Sequence, residues 1–234
     1  MAKSPKPADQ GIVPRLVVLE DLKGDPEVEA FIAKADEYTG AIGYTEHGAR
    51  HANLVASIAQ NVLRRLGHEE RSVQLAGLAG YLHDIGNLVG RINHEHTGAI
   101  LADGILQRRG MSPVERAIVM GAIGNHEEGS GDPVSPVGAA VILADKSDVH
   151  RTRVRNPDPT TFDIHDRVNY AAEHSFLRVD GVSRAITLEL TIDTRISQVM
   201  EYFEIFLSRM VMCRRAAQYL GCDFKLQING SKLL

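Results

Sequence analysis

The segment Gly80-Tyr81-Leu82-His83-Asp84-Ile85-Gly86-Asn87 constrains this chain most. A run of small and apolar residues over 75–82 ends in an adjacent imidazole and carboxylate, and a glycine follows. Burying such a pair without partners is unfavourable by several kcal/mol. A cation that takes a lone pair from each removes the penalty. The plainer reading of the dipeptide alone is a surface pair that caps a helix end. The rest of the chain decides between them.

Residues 1–14 are rich in Pro and Lys and read as a flexible arm. Pro26 suits the first turn of a helix carrying Val28, Phe31 and Ile32. A longer helix is predicted from Thr45, with His51, Val55, Ile58 and Val62 on one face and Gly67 as its stop. Residues 70–83 are apolar nearly all round and predict a central helix. The helix over 93–109 places His94, Gly98, Leu101 and Ile105 together, a phase that favours His94 over His96. Ser112-Pro113 starts another, with Glu115 in capping-box position and His126 inward. Pro136 opens a helix with Val137, Val141, Ala144 and Asp145 on one face. Arg151, Arg153 and Arg155 among prolines read as an exposed basic loop, and a short helix follows over 163–172.

The pattern then changes. Residues 175–179 and 185–192 alternate as strands around Asp180-Gly181. A long amphipathic helix covers 196–220, and 224–228 alternates as a last strand. The predicted fold is mainly α: a helical bundle over 15–172 and a small α+β appendage over 173–234, which offers a surface for a homodimer.

The polar residues on otherwise apolar faces are His51, His83, Asp84, His94, His126 and Asp145. Each alone has a structural explanation: a satisfied core histidine, a helix cap, an ion pair. Together, four imidazoles and two carboxylates exceed one tetrahedral ion and suit two ions that share a bridge, with Asp84 as the bridge. Lys146 and Arg50 stand next to ligand candidates and are candidate phosphate clamps, and Asn87 and Arg91, in the loop after the His-Asp pair, could line the mouth. Glu127 could orient a ligand, and Asp148 could back a ligand histidine.

The stretches EHGARHANLV, LAGYLHDIGN, INHEHTGAIL, GAIGNHEEG and VILADKSD, over about residues 45–150, resemble the HD superfamily of metal-dependent phosphohydrolases. The resemblance implies an HD-domain helical bundle in which His51, His83, Asp84 and Asp145 hold a first metal. It implies that His94 and His126 serve a second, as in two-metal members. Asn87 stands where the cyclic-dinucleotide branch usually has Lys, and GSGDP replaces its DGxGYP, so that substrate is not expected. The expected activity is hydrolysis of a small phosphorylated substrate, a nucleotide or other phosphoester. Asp84 and Lys146 are the catalytic candidates, with two divalent ions from among Fe, Mn, Co, Ni, Zn and Mg. A di-iron oxygenase of the same fold and a non-catalytic metal- or nucleotide-binding signalling module are the alternatives.

Composition removes other classes. The net charge of -4 argues against nucleic acid as a partner, and 5% aromatics with no tryptophan argue against a base-stacking surface. No apolar run reaches membrane-spanning length and the N-terminus has no secretory core, so no membrane partner is expected. Cys213 and Cys222 lack metal or redox spacing, which fits a reducing cytoplasm.

Overall fold

The computed structural model describes residues 15–233, and the arm expected over 1–14 lies outside the described residues. Helix α1 (Pro26–Ala41) starts where the Asp25 carboxylate accepts from the Glu27 and Val28 amides, with Pro26 at the first helical position. Five helices follow: α2 (Ala49–Arg65), α3 (Glu70–Leu82), α4 (His94–Arg108), α5 (Pro113–Gly124) and α6 (Pro136–Lys146). Ser112 and Ser135 cap α5 and α6 by accepting from the Glu115 and Gly138 amides.

Helix α2 begins at Ala49, four residues after the expected Thr45. The preceding backbone is engaged elsewhere. The Glu46 amide donates to the Arg153 carbonyl at 2.8 Å, and the His47 amide donates to Asp36 Oδ1 at 2.8 Å. Glu46 still supports the helix from outside it, because its Oε1 accepts from the Gly48 amide at 2.9 Å.

Helix α3 is buried along nearly its whole length and packs on α2, α5 and α6. Two glycines set its depth. A Cβ on Gly80 would lie 3.0 Å from the Ala56 Cα, so α3 and α2 approach backbone to backbone. A Cβ on Gly86 would lie 1.9 Å from the His94 carbonyl oxygen, so the turn after Asp84 rests directly on the first turn of α4.

Every residue of α6 from Val137 to Lys146 is buried, not the single face its spacing suggested. Helices α2, α3 and α5 cover one side, and the long C-terminal helix α8 (Val199–Tyr219) covers another. Between them, α7 (Ile164–Ala171) leads into a four-stranded sheet. Strand β1 (Ala172–Asp180) pairs antiparallel with β2 (Ala185–Ile192), turning where Asp180 Oδ1 accepts from the Val182 and Ser183 amides. After α8, β3 (Asp223–Ile228) pairs parallel to β2, and β4 (Ser231–Lys232) pairs antiparallel to β3. Ile186, Leu188, Leu190 and Ile192 point into the same apolar core as the helices, as the alternation predicted. The fold is thus mainly α with a small C-terminal α+β element. Among the described residues, no helix is long and apolar enough to cross a membrane.

The basic loop is largely exposed, as expected, except at one residue. Arg153 is 1% exposed. Its guanidinium donates to the Glu46 carbonyl at 3.0 and 3.1 Å and to the Asp148 carbonyl at 2.7 Å. Arg155 binds the Asp36 carboxylate and the Tyr44 carbonyl. Arg153 pins the segment before α2 to the end of α6 as a buried structural cation, while Arg155 pairs with Asp36 from an exposed position.

Candidate metal centre

The six candidate ligands meet at helix ends. His51 lies in the first turn of α2, and His83 and Asp84 follow the last residue of α3. His94 opens α4, His126 follows α5, and Asp145 sits in the last turn of α6. All six are buried, from 0% exposure at His51 and His83 to 8% at Asp84.

Local geometry fixes the imidazoles. Three of them bond the carbonyl three residues earlier. Nδ1 of His83 lies 2.8 Å from the Gly80 oxygen, Nδ1 of His126 lies 2.6 Å from Ile123, and Nδ1 of His94 lies 3.1 Å from Arg91. Nδ1 of His51 lies 2.7 Å from Asp148 Oδ2. Carbonyl and carboxylate oxygens only accept, so in each ring Nδ1 carries a proton and Nε2 faces inward as the atom that a metal ion, or a second proton, would take.

Those Nε2 atoms converge in two groups. His51 Nε2 and His83 Nε2 are 3.2 Å apart, and Asp145 Oδ1 is 3.3 Å from His51 Nε2 and 3.7 Å from His83 Nε2. His94 Nε2 and His126 Nε2 are also 3.2 Å apart, with Glu127 Oε2 at 3.9 Å from the former. Asp84 stands between the groups. Its Oδ2 is 3.3 Å from His83 Nε2 and 3.6 Å from His51 Nε2, while its Oδ1 is 3.3 Å from His94 Nε2 and 3.9 Å from His126 Nε2. Donors bound to one ion at about 2.1 Å lie about 3.0–3.4 Å from each other, so this spacing suits coordination. Opposed lone pairs at this distance repel unless a cation or a proton lies between them. Asp84 Oδ2 is also buried without a hydrogen-bond partner, which a cation would supply. The donor set fits divalent metal, and three residue groups meet the spacing: His51, His83 and Asp145; His83, Asp84 and His126; His94, His126 and Glu127.

The electrostatics agree. Burial alone would push His83 down, but Asp84 and Asp145 outweigh it and push its imidazole up to about 10. Burial opposes ionisation of Asp84 and Asp145 too. The His83 charge holds Asp84 well below the usual carboxylate range, and Lys146 with His51 and His83 does the same for Asp145. Burial, with His83 and Lys146 nearby, holds His126 well below its ordinary value, so it stays neutral. Without a metal, the His51–His83 side demands a proton.

The surrounding residues include some that the sequence indicated and some that it did not. Asp148 backs His51 as expected and takes the Arg50 guanidinium at 2.8 Å, while Arg50 also pairs with Glu46. Asn87 donates to Asp84 Oδ1 at 3.0 Å. Arg91 lies over the Tyr44 ring and donates to His94 Nε2 at 3.1 Å. His94 is buried, whereas the His96 side chain is 60% exposed, as helix phase favoured. Lys146 is folded back beside its own neighbour, with Nζ 2.7 Å from Asp145 Oδ2, 3.3 Å from Glu128 Oε1 and 3.7 Å from Glu127 Oε2. Sequence reasoning missed two buried groups and one half-buried group here. His47 lies edge-on to His51, Glu95 accepts from Ser130 at 2.8 Å, and Glu128 bridges Lys146 to Arg209. The Glu127-Glu128 doublet following His126 was the one available signal for Glu128.

Along the chain the candidate ligands come in the order His from α2, His-Asp from the end of α3 and Asp from the end of α6. A family model for the HD domain matches residues 48–150, so this stretch, which carries all six candidate ligands, is similar to HD domains. An uncharacterized protein of Methanocaldococcus jannaschii is 29% identical to it, with 82% of each chain covered. That likeness extends beyond the family-matched stretch.

Proposed function

We propose that the protein is a two-metal phosphohydrolase that uses water to cleave a small phosphate ester, a nucleotide or related phosphoester. The observation that carries this reading is the arrangement of two imidazole pairs, each turning Nε2 toward a different oxygen of Asp84. His51, His83, Asp84 and Asp145 would hold one ion; His94, His126 and Asp84 would hold the other. Bound there, divalent metal lowers the pKa of water and neutralises charge on a phosphoryl group.

The chain's own residues do the remaining work. Asp84 joins the two positions and is steadied by the Asn87 amide. Asp148 fixes the His51 ring so that its lone pair stays aimed inward. Lys146 engages the outer Asp145 oxygen and leaves Oδ1 for metal. Arg91, over Tyr44 at the mouth, offers a guanidinium to an incoming phosphate dianion. The test is metal analysis of the purified protein, together with phosphate release from nucleotides and small phosphoesters. Metal-dependent phosphate release that vanishes in His83→Ala is expected. Oxygen consumption without phosphate release, or release that persists in His83→Ala, would contradict it.

A further inference from the structure

We propose that Arg209, on the C-terminal helix α8 outside the stretch matched to the HD family, tunes the cation affinity of the metal centre through an alternating chain of charges. The inference rests on the metal-binding part of the proposed function and not on the hydrolysis.

The chain of contacts is short. Lys146 Nζ lies 2.7 Å from Asp145 Oδ2, the oxygen on the ligand carboxylate that faces away from His51. Glu128 Oε1 lies 3.3 Å from that ammonium and 3.0 Å from Arg209 Nε. Glu128 Oε1 is buried with no aligned hydrogen bond, so charge and proximity couple it to its neighbours. Lys146 has one further carboxylate near it, Glu127 Oε2 at 3.7 Å. The Arg209 side chain is held in place by the Phe206 ring, 4.7 Å from its guanidinium carbon. Helix α8 packs directly on α6, whose last turn carries both Asp145 and Lys146.

From the metal outward, the sequence of charges is therefore cation, Asp145 minus, Lys146 plus, Glu128 minus, Arg209 plus. Lys146 competes with a metal ion for the charge of Asp145. Glu128 draws Lys146 away from that competition. Arg209 occupies Glu128 and weakens its draw. Burial makes each step stronger than it would be in water. The sign of the effect must alternate along the chain. Loss of Arg209 frees Glu128, which takes more of Lys146 and leaves Asp145 freer for metal. Loss of Glu128 does the reverse. A residue with a merely structural role would weaken metal binding wherever it was removed.

The experiment is titration of the full chain with Mn²⁺ by calorimetry, with thermal unfolding by circular dichroism to confirm that each variant is folded. Arg209→Gln should tighten binding of the first ion by about threefold or more, and Glu128→Gln should weaken it by a similar factor. The double variant should return to within about twofold of the wild type, since removing adjacent opposite charges cancels. Arg214→Gln, which removes the same charge from an exposed position on α8, should change nothing. Shifts in the same direction for Arg209→Gln and Glu128→Gln, no shift in either, or an equal shift in Arg214→Gln would overturn the proposal while leaving metal binding intact. Failure of the wild type to bind Mn²⁺ would overturn both this inference and the function it rests on.

Discussion

The two halves of the candidate metal centre each contribute two imidazoles and face different oxygens of Asp84, yet they are backed differently. On the His51–His83 side, a second carboxylate, Asp145, faces the donors, and Asp148 with Arg50 and Arg153 behind it locks His51. On the His94–His126 side, backbone carbonyls hold both rings, Glu127 is the nearest further carboxylate at 3.9 Å, and the Arg91 guanidinium already contacts His94. The first half has two carboxylates facing its donors, one of them partly offset by Lys146; the second has Asp84 and the more distant Glu127, with Arg91 on His94. The two positions should therefore fill in order, the His51–His83 position first.

The largest effect tests what the halves share. Asp84→Ala should abolish metal binding at both positions, whereas His94→Ala should leave one ion per chain, by metal analysis after equilibration with Mn²⁺. Two ions retained in His94→Ala would break the assignment of halves. A smaller effect tests the backing. Asp148→Asn should weaken first-ion binding about 10–100-fold, the usual range when the partner of a ligand histidine is lost, and leave the second half's rings in place.

The subtlest test is the pH dependence of the metal-free protein. His83 is raised from 6.5 to about 10 in the fold. Its contribution to stability is thus complete below about 6.5 and lost as pH rises through about 10. His126 is held below 6.5, so the unfolded chain takes up the proton more readily. Its contribution is present above about 6.5 and lost as pH falls. Thermal unfolding in a chelator should show Tm falling on both sides, with the alkaline limb reduced in His83→Asn and the acid limb reduced in His126→Asn. Added Mn²⁺ should relieve the alkaline loss, because metal replaces the proton on His83.

Much of this was legible in the sequence. The inward phase of His51, the preference for His94 over His96, and the apolar helix that delivers His83 and Asp84 follow from periodicity and end signals. The alternation of β2 gave its buried face. What was not legible depends on contacts distant in sequence. The delayed start of α2 requires Asp36 and Arg153, which capture the amides of His47 and Glu46. The burial of Arg153 requires carbonyls at Glu46 and Asp148 that no local pattern announces. Lys146 follows a ligand and by helix phase should diverge from it, but its long chain folds back at the last turn of α6 into a group of carboxylates. The complete burial of α6 becomes intelligible once α8 is seen lying on it.

Anomalous diffraction from crystals grown with Mn²⁺ tests the centre most directly. The account predicts two peaks, one among His51, His83 and Asp145 and one between His94 and His126, with an oxygen of Asp84 directed at each. No peak within these side chains, or ions bound only elsewhere on the molecule, would contradict it.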